Sequence, residues 1–178
     1  MKNLLLVLVI FSLAVTISSC EKTVEKVVNC TNQIKDNDEK EIDCGGSCDP
    51  CPDPATITCD INSYSFVGVS EQTYAGRLGP SLRVYSYSYS SGYLNFMFLP
   101  HDVNVPTQLT TGNFIYNGES YTMGQNASGV YDTGTVVITS IDTLRQIMSG
   151  TFGFSARRTT GSSSAQATGG VFTNVRYH

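Results

Sequence analysis

Residues 82–98, Leu82-Arg83-Val84-Tyr85-Ser86-Tyr87-Ser88-Tyr89-Ser90-Ser91-Gly92-Tyr93-Leu94-Asn95-Phe96-Met97-Phe98, decide the fold class. From Leu82 to Tyr89 the side chains change character with a period of two, which places successive residues on opposite faces of an extended strand. Ser90-Ser91-Gly92 supplies small residues for a turn, and Leu94, Phe96 and Phe98 carry the next strand as far as Pro100. Strands joined this tightly are antiparallel neighbours.

The same pattern continues in both directions. Ile57, Cys59 and Ile61 alternate, Asn62-Ser63 makes a turn, and Tyr64 and Phe66 complete a second hairpin. Further strands are predicted at 114–116, 121–123, 135–140, 147–156 and 171–177, with glycine or serine in almost every gap. No apolar pattern of period 3.6 lasts beyond two turns. Residues 54–178 therefore predict an all-β domain, an antiparallel β-sandwich of about eight or nine strands. The Gly161-Ser162-Ser163-Ser164 run places a long loop over 159–170.

Tyr85, Tyr87 and Tyr89 fall at i, i+2 and i+4, so one strand face carries three rings, with Tyr93 just past the turn. Tyrosine joins apolar area to a polar tip, which makes these residues a candidate binding face for a glycan or a protein ligand. The competing reading packs the same residues into a half-buried strand, where tyrosine is a good β-former. Catalysis finds little support. The histidines are His101 and His178, and His101-Asp102 has no serine in a nucleophile-elbow setting. The acids of the domain are dispersed at turns, and no enzyme is expected. Residues 54–178 hold six arginines, six acids and no lysine, and Arg157-Arg158 stands isolated, so no nucleic-acid partner is expected.

The N-terminus supplies an address. Lys2 precedes an almost uninterrupted apolar run over residues 4–17, too short for a bilayer span of roughly 20 residues, and Ser18-Ser19 leads into Cys20. This is the pattern of an export signal, and an exported chain folds where thiols pair. Apart from Cys20, Cys30, Cys44, Cys48 and Cys51 form a compact set, three of them in Asp43-Cys-Gly-Gly-Ser-Cys-Asp-Pro-Cys51. Two disulfides stapling a segment too small for its own core are the favoured reading, with three connectivities open. A four-cysteine zinc site lacks the two-plus-two spacing of a zinc ribbon. Redox chemistry at Cys48-Asp49-Pro50-Cys51 lacks the strand and helix that would depress a thiol pKa. Cys59, inside the first strand, is expected to be a buried free thiol.

The cysteine segment is acidic, with seven acids against Lys35 and Lys40 between Cys30 and Asp53. Asp36, Asp38, Glu39 and Asp43 place oxygen donors in a loop as calcium demands, although the central glycine and flanking helices of an EF-hand are absent. A solvated acidic linker is the plainer reading. Apart from that calcium no cofactor is expected. Pro50, Pro52 and Pro54 close the segment. The chain thus divides into a signal peptide at 1–19, a lipidated tether at 20–29, an acidic cysteine-rich module at 30–53 and the β domain at 54–178.

Several stretches resemble known families. Thr16-Ile17-Ser18-Ser19-Cys20 resembles the lipobox of bacterial lipoproteins, which implies acylation of Cys20 and a lipid bilayer as partner. Residues 30–51 resemble a short module of Bacteroidota surface proteins ending in D-C-G-G-x-C-x-x-C, with Gln33 where that module usually has glycine. Residues 134–142, 147–156 (Ile-Met-Ser-Gly-Thr-Phe-Gly-Phe-Ser-Ala) and 170–177 (Gly-Val-Phe-Thr-Asn-Val-Arg-Tyr) look like the closing strands of an uncharacterised Bacteroidota β-sandwich lipoprotein family. The hairpin from Ile57 to Val67 fits its start. Asp142-Thr143-Leu144 resembles a Bacteroidota O-glycosylation acceptor, which makes Thr143 the candidate residue, against a plain aspartate turn. Together these readings imply an outer-membrane, lipid-anchored protein at the cell surface that acts as a binding or adhesion module. The alternative is a structural or accessory envelope component without a dedicated ligand.

Overall fold

The structure is a computed structural model that describes residues 29–36, 38–124 and 132–177. The signal segment, Cys20, most of the tether and His178 lie outside the described residues.

Among the described residues ten strands follow in order: β1 Thr56–Ile61, β2 Tyr64–Val67, β3 Tyr74–Leu78, β4 Ser81–Ser88, β5 Gly92–Phe98, β6 Thr107–Tyr116, β7 Glu119–Thr122, β8 Gly134–Asp142, β9 Ile147–Arg158 and β10 Ser164–Arg176. They form one antiparallel sheet in the order β2-β1-β10-β9-β7-β6-β5-β4-β3. Two strands share the space between β6 and β9. β7 pairs with the ends of both, while β8 pairs with Thr107 and Gln108 of β6 and with most of β9.

The sheet folds over on itself. Phe96 of β5 stacks on Phe152 of β9 at 4.4 Å and lies 6.0 Å from Phe172 of β10, although the order separates these strands. Ala75 of β3 bridges Tyr177 just past β10, so the β3 edge of the sheet closes onto the end of β10. Two facing layers enclose one core, in which Phe66, Phe96, Phe98, Phe114 and Phe172 are fully buried. The all-β antiparallel expectation holds, with ten strands where eight or nine were expected.

The differences have physical causes. β3 escapes a sequence reading because Gly76 and Arg77 interrupt its alternation before Gly79-Pro80 turns the chain. The long loop expected over 159–170 is a correction: only 159–163 loops, and β10 begins at Ser164. Ala165 and Ala167 point into the core there, and alanine alternating with polar residues is too faint a hydrophobic signal to read.

Within β9 and β10, glycine and phenylalanine interlock. Gly150 pairs with Phe172 and Gly170 with Phe152 across the same strand interface. A Cβ on Gly150 would sit 2.5 Å from the Phe172 ring, and one on Gly170 would sit 2.6 Å from the Phe152 ring. Each glycine makes room for the ring opposite.

The cysteine module is stapled as expected, with Cys30 bonded to Cys48 and Cys44 to Cys51. Gly46 is required in its loop, since φ is +61° and a Cβ would lie 1.9 Å from the Asp38 carbonyl oxygen. The module rests against the sheet where β10 ends. Arg176 pairs with Glu41, Arg145 reaches Asp49 at 3.5 Å, and the Asn174 side-chain amide donates to the Asp53 carbonyl at 3.1 Å.

Candidate functional site

The alternation of β4 sorts its residues between two environments. Leu82, Val84, Ser86 and Ser88 face inward, while Arg83, Tyr85 and Tyr87 face outward. The inward serines are polar and therefore need partners. Ser86 meets Thr73 Oγ1 at 2.7 Å, and Thr73 donates onward to the Val69 carbonyl. Ser88 meets Ser90 at 3.1 Å. With these groups satisfied inside, the tyrosines lie on the outer surface. Tyr89 is in the turn beyond β4, 80% exposed and edge-on to Tyr87 at 5.8 Å.

Cross-strand register enlarges the face. Tyr74 of β3 pairs with Tyr85, Tyr85 with Asn95 of β5, Asn95 with Asn113 of β6, Asn113 with Thr122 of β7, and Thr122 with Arg157 of β9. The tyrosine rings of Tyr74 and Tyr85 lie 5.3 Å apart, and those of Tyr85 and Tyr93 lie 6.4 Å apart and nearly parallel. Beyond them the row is polar. Asn113 Nδ2 donates to Asn95 Oδ1 at 3.1 Å, and the Thr122 hydroxyl donates to Asn113 Oδ1 at 3.0 Å. Arg157 closes the row on Asp132 at 3.2 Å. Burial first, and then the neighbouring hydroxyls of Tyr74, Tyr87 and Tyr93, push the Tyr85 phenol above its ordinary range.

Sequence reasoning found Tyr85, Tyr87, Tyr89 and Tyr93 and missed Tyr74, Asn95, Asn113 and Thr122. The outward phase of β5 was readable from its alternation. The pairing that joins six strands into one row is not a local property.

The described surface has three concave regions, one of which takes in Tyr74. A groove of about 740 Å³ separates the module from the sheet, with Tyr74, Glu71, Glu41 and Arg176 among its walls. A cleft of about 250 Å³ opens at the far end, between Tyr64, Tyr116, Ile115 and the turn at Ser90-Ser91-Gly92. A shallow polar groove of about 550 Å³ crosses β8, β9 and β10, lined by Gln108, Thr135, Ser155, Gln166 and Thr168.

The acids of the module hold its backbone. Both oxygens of the buried Asp43 accept 2.8 Å bonds from the N–H groups of Asn32 and Gln33. Glu39 accepts from the N–H groups of Asp36 and Asp43, Asp36 from the Asn29 N–H and the Asn32 amide, and Asp38 from Ser47. Among the described residues, no three of these four carboxylates bring oxygens within 4.8 Å of one another. The one such grouping is Cys30, Glu39 and Cys48, whose sulfurs are spent in a disulfide.

The remaining candidates are dispersed. Thr143 sits in the exposed β8–β9 turn, where Asp142 accepts the Leu144 and Arg145 N–H groups. The backbone bond from Arg145, ahead of its guanidinium, holds the Asp142 carboxyl below its usual range. His101 and Asp102 lie exposed past β5, 3.9 Å apart, with His101 Nδ1 accepting the Asp102 N–H. Cys59 is the buried free thiol, pushed up to about 12 by burial and then by the charge of Asp60. Cys20 lies outside the described residues.

No curated protein and no solved structure matches the chain. A family described as a domain of unknown function, DUF6252, matches residues 81–176, from the start of β4 to the end of β10. The cysteine module and the first three strands precede the matched stretch. Since that stretch holds more than half of the chain and seven of its ten strands, the chain belongs to the DUF6252 family.

Proposed function

We propose that the protein is a lipid-anchored binding module of the bacterial cell surface, which takes its ligand, a glycan or a protein, on the outer face of β3 to β7. The observation that supports this is the outward position of Tyr74, Tyr85, Tyr87 and Tyr93 on one sheet face, where internal packing does not account for them. Four rings on a rigid sheet present apolar area with polar tips at small entropic cost, which is how tyrosine serves recognition. Their outward position counts against the accessory reading in which the same rings pack inside.

In this reading Cys20 carries the acyl anchor in the outer membrane, and its bilayer is the second partner. The Bacteroidota affiliation and the surface address rest on the resemblances of the N-terminus and the cysteine module. Carboxylates that already hold backbone amides give the module the role of a rigid spacer.

The test is a variant with Tyr85, Tyr87 and Tyr89 changed to alanine, screened beside the parent on glycan and protein arrays. Loss of capture with an unchanged melting midpoint is the expected result. Equal capture by both proteins would remove this face as the site. Protease shaving of intact cells tests the address, with release of peptides from residues 54–177 expected before any lysis.

A further inference from the structure

The outer row extends well past its tyrosines. From Tyr74 on β3 to Thr122 on β7 it supplies one side chain per strand, each the register partner of the next. Four inter-strand steps of about 4.8 Å make a track about 19 Å long. The repeat of an extended hexopyranose chain is close to that same spacing. We infer that this row is a track for a neutral polysaccharide, lying across the strands with one sugar ring to about every strand; this rests on the binding reading above and names its ligand class.

The chemistry changes along the track in the way such a chain needs. Tyr74 and Tyr85 offer ring surface to the C–H faces of the sugars, with Tyr93 stacked on Tyr85 beside the row. Asn95, Asn113 and Thr122 offer amide and hydroxyl groups to their hydroxyls. Asn113 uses one N–H on Asn95 and receives the Thr122 hydroxyl on its oxygen, so the ladder fixes both amides and still leaves N–H groups over. Preorganised donors of this kind lose little freedom when a ligand arrives.

Charge selects an uncharged chain. Arg83 lies beside the row, Arg157 at its far end is neutralised by Asp132, and no acid belongs to the row. At the other end Tyr74 opens into the groove against the module, whose walls carry Glu41, Asp53 and Glu71 against Lys40 and Arg176, with Glu41 and Arg176 paired. A polyanion would find no basic face at either end. Because the track runs into an open groove, the chain can pass through and need not end on the site, and the module forms one wall.

The experiment is calorimetric titration of the full-length protein, in detergent, with neutral oligosaccharides from disaccharide to hexasaccharide. The series are β-1,4-linked glucose, mannose and xylose and β-1,3-linked glucose. In at least one series the Kd should fall about tenfold or more from dimer to tetramer and level off by the hexamer. Tyr74→Ala and Asn113→Ala should each weaken the tetramer about tenfold and leave the dimer nearly unchanged, with the melting midpoint preserved. Affinity that is complete at the disaccharide, or a tetramer indifferent to Asn113→Ala, would overturn the track. So would failure of every series. If Tyr85→Ala still abolishes capture of an array protein in that case, the binding reading stands and only the glycan track falls; if it changes nothing, both fall.

Discussion

Cys59 shows how much one buried atom can decide. Its thiol titrates near 12 in the folded chain against 9.0 for the free group, because burial disfavours the thiolate and Asp60 adds like charge. A raised pKa means that the folded state holds its proton more tightly. The resulting stability is complete below pH 9 and is lost as pH rises from 9 towards 12, at about 1.4 kcal/mol per unit. Urea unfolding of the parent and Cys59→Ala at pH 8, 9.5 and 11 should show the parent's relative stability declining by that slope; a constant difference would refute the assignment. Gln33 carries strain of a different kind, with φ at +59° and its N–H bonded to Asp43. Gln33→Gly relieves a left-handed conformation that costs a side chain about 1 kcal/mol, so the variant's module should resist protease for longer. The burial of Cys59 was legible from the alternation Ile57, Cys59, Ile61. The sign of φ at Gln33 was not, since it depends on a turn held by Asp43 ten residues away.

At the scale of elements, the interlock of Gly150 with Phe172 and Gly170 with Phe152 gives the closing strands their pattern. The resemblance noted in these strands includes glycine and phenylalanine at the same positions, and the structure supplies a packing reason for them. Gly150→Ala and Gly170→Ala should each cost about 1–3 kcal/mol through overpacking, read as a lower urea midpoint. An unchanged midpoint would mean that the rings move aside freely. Each Cβ would also press on a backbone carbonyl, that of Val137 at 2.3 Å for Gly150 and that of Phe152 at 2.5 Å for Gly170, so moving a ring alone relieves neither clash. Nine strand regions were legible because period-two alternation is local. The outer row was legible only along β4, since Asn95, Asn113 and Thr122 become neighbours through register, which no window of sequence contains. A strand with weak alternation, such as β3, becomes visible only when Tyr74 is seen paired with Tyr85.

For the whole molecule, two units of different construction meet at one end. The sheet is held by a shared aromatic core, whereas the module is held by two disulfides and buried carboxylate bonds. Reduction should therefore separate them: dithiothreitol should expose Lys35 and Lys40 to trypsin while the arginines within the strands remain protected. Simultaneous loss of both units would show that the sheet depends on the staples. The arrangement of the sheet was the least legible feature, because inserting β8 between β6 and β9 leaves no local mark. The two staples were expected, but their pairing had to come from the fold of the loop. The disulfide between Cys30 and Cys48 spans a separation of 18 residues and has a mechanical consequence. Tension applied on the N-terminal side passes through the sulfur bridge and bypasses the loop, which stores about 60 Å of contour length. An oxidised module is a short, inextensible link, and a reduced one would pay out that slack before any load reached β1.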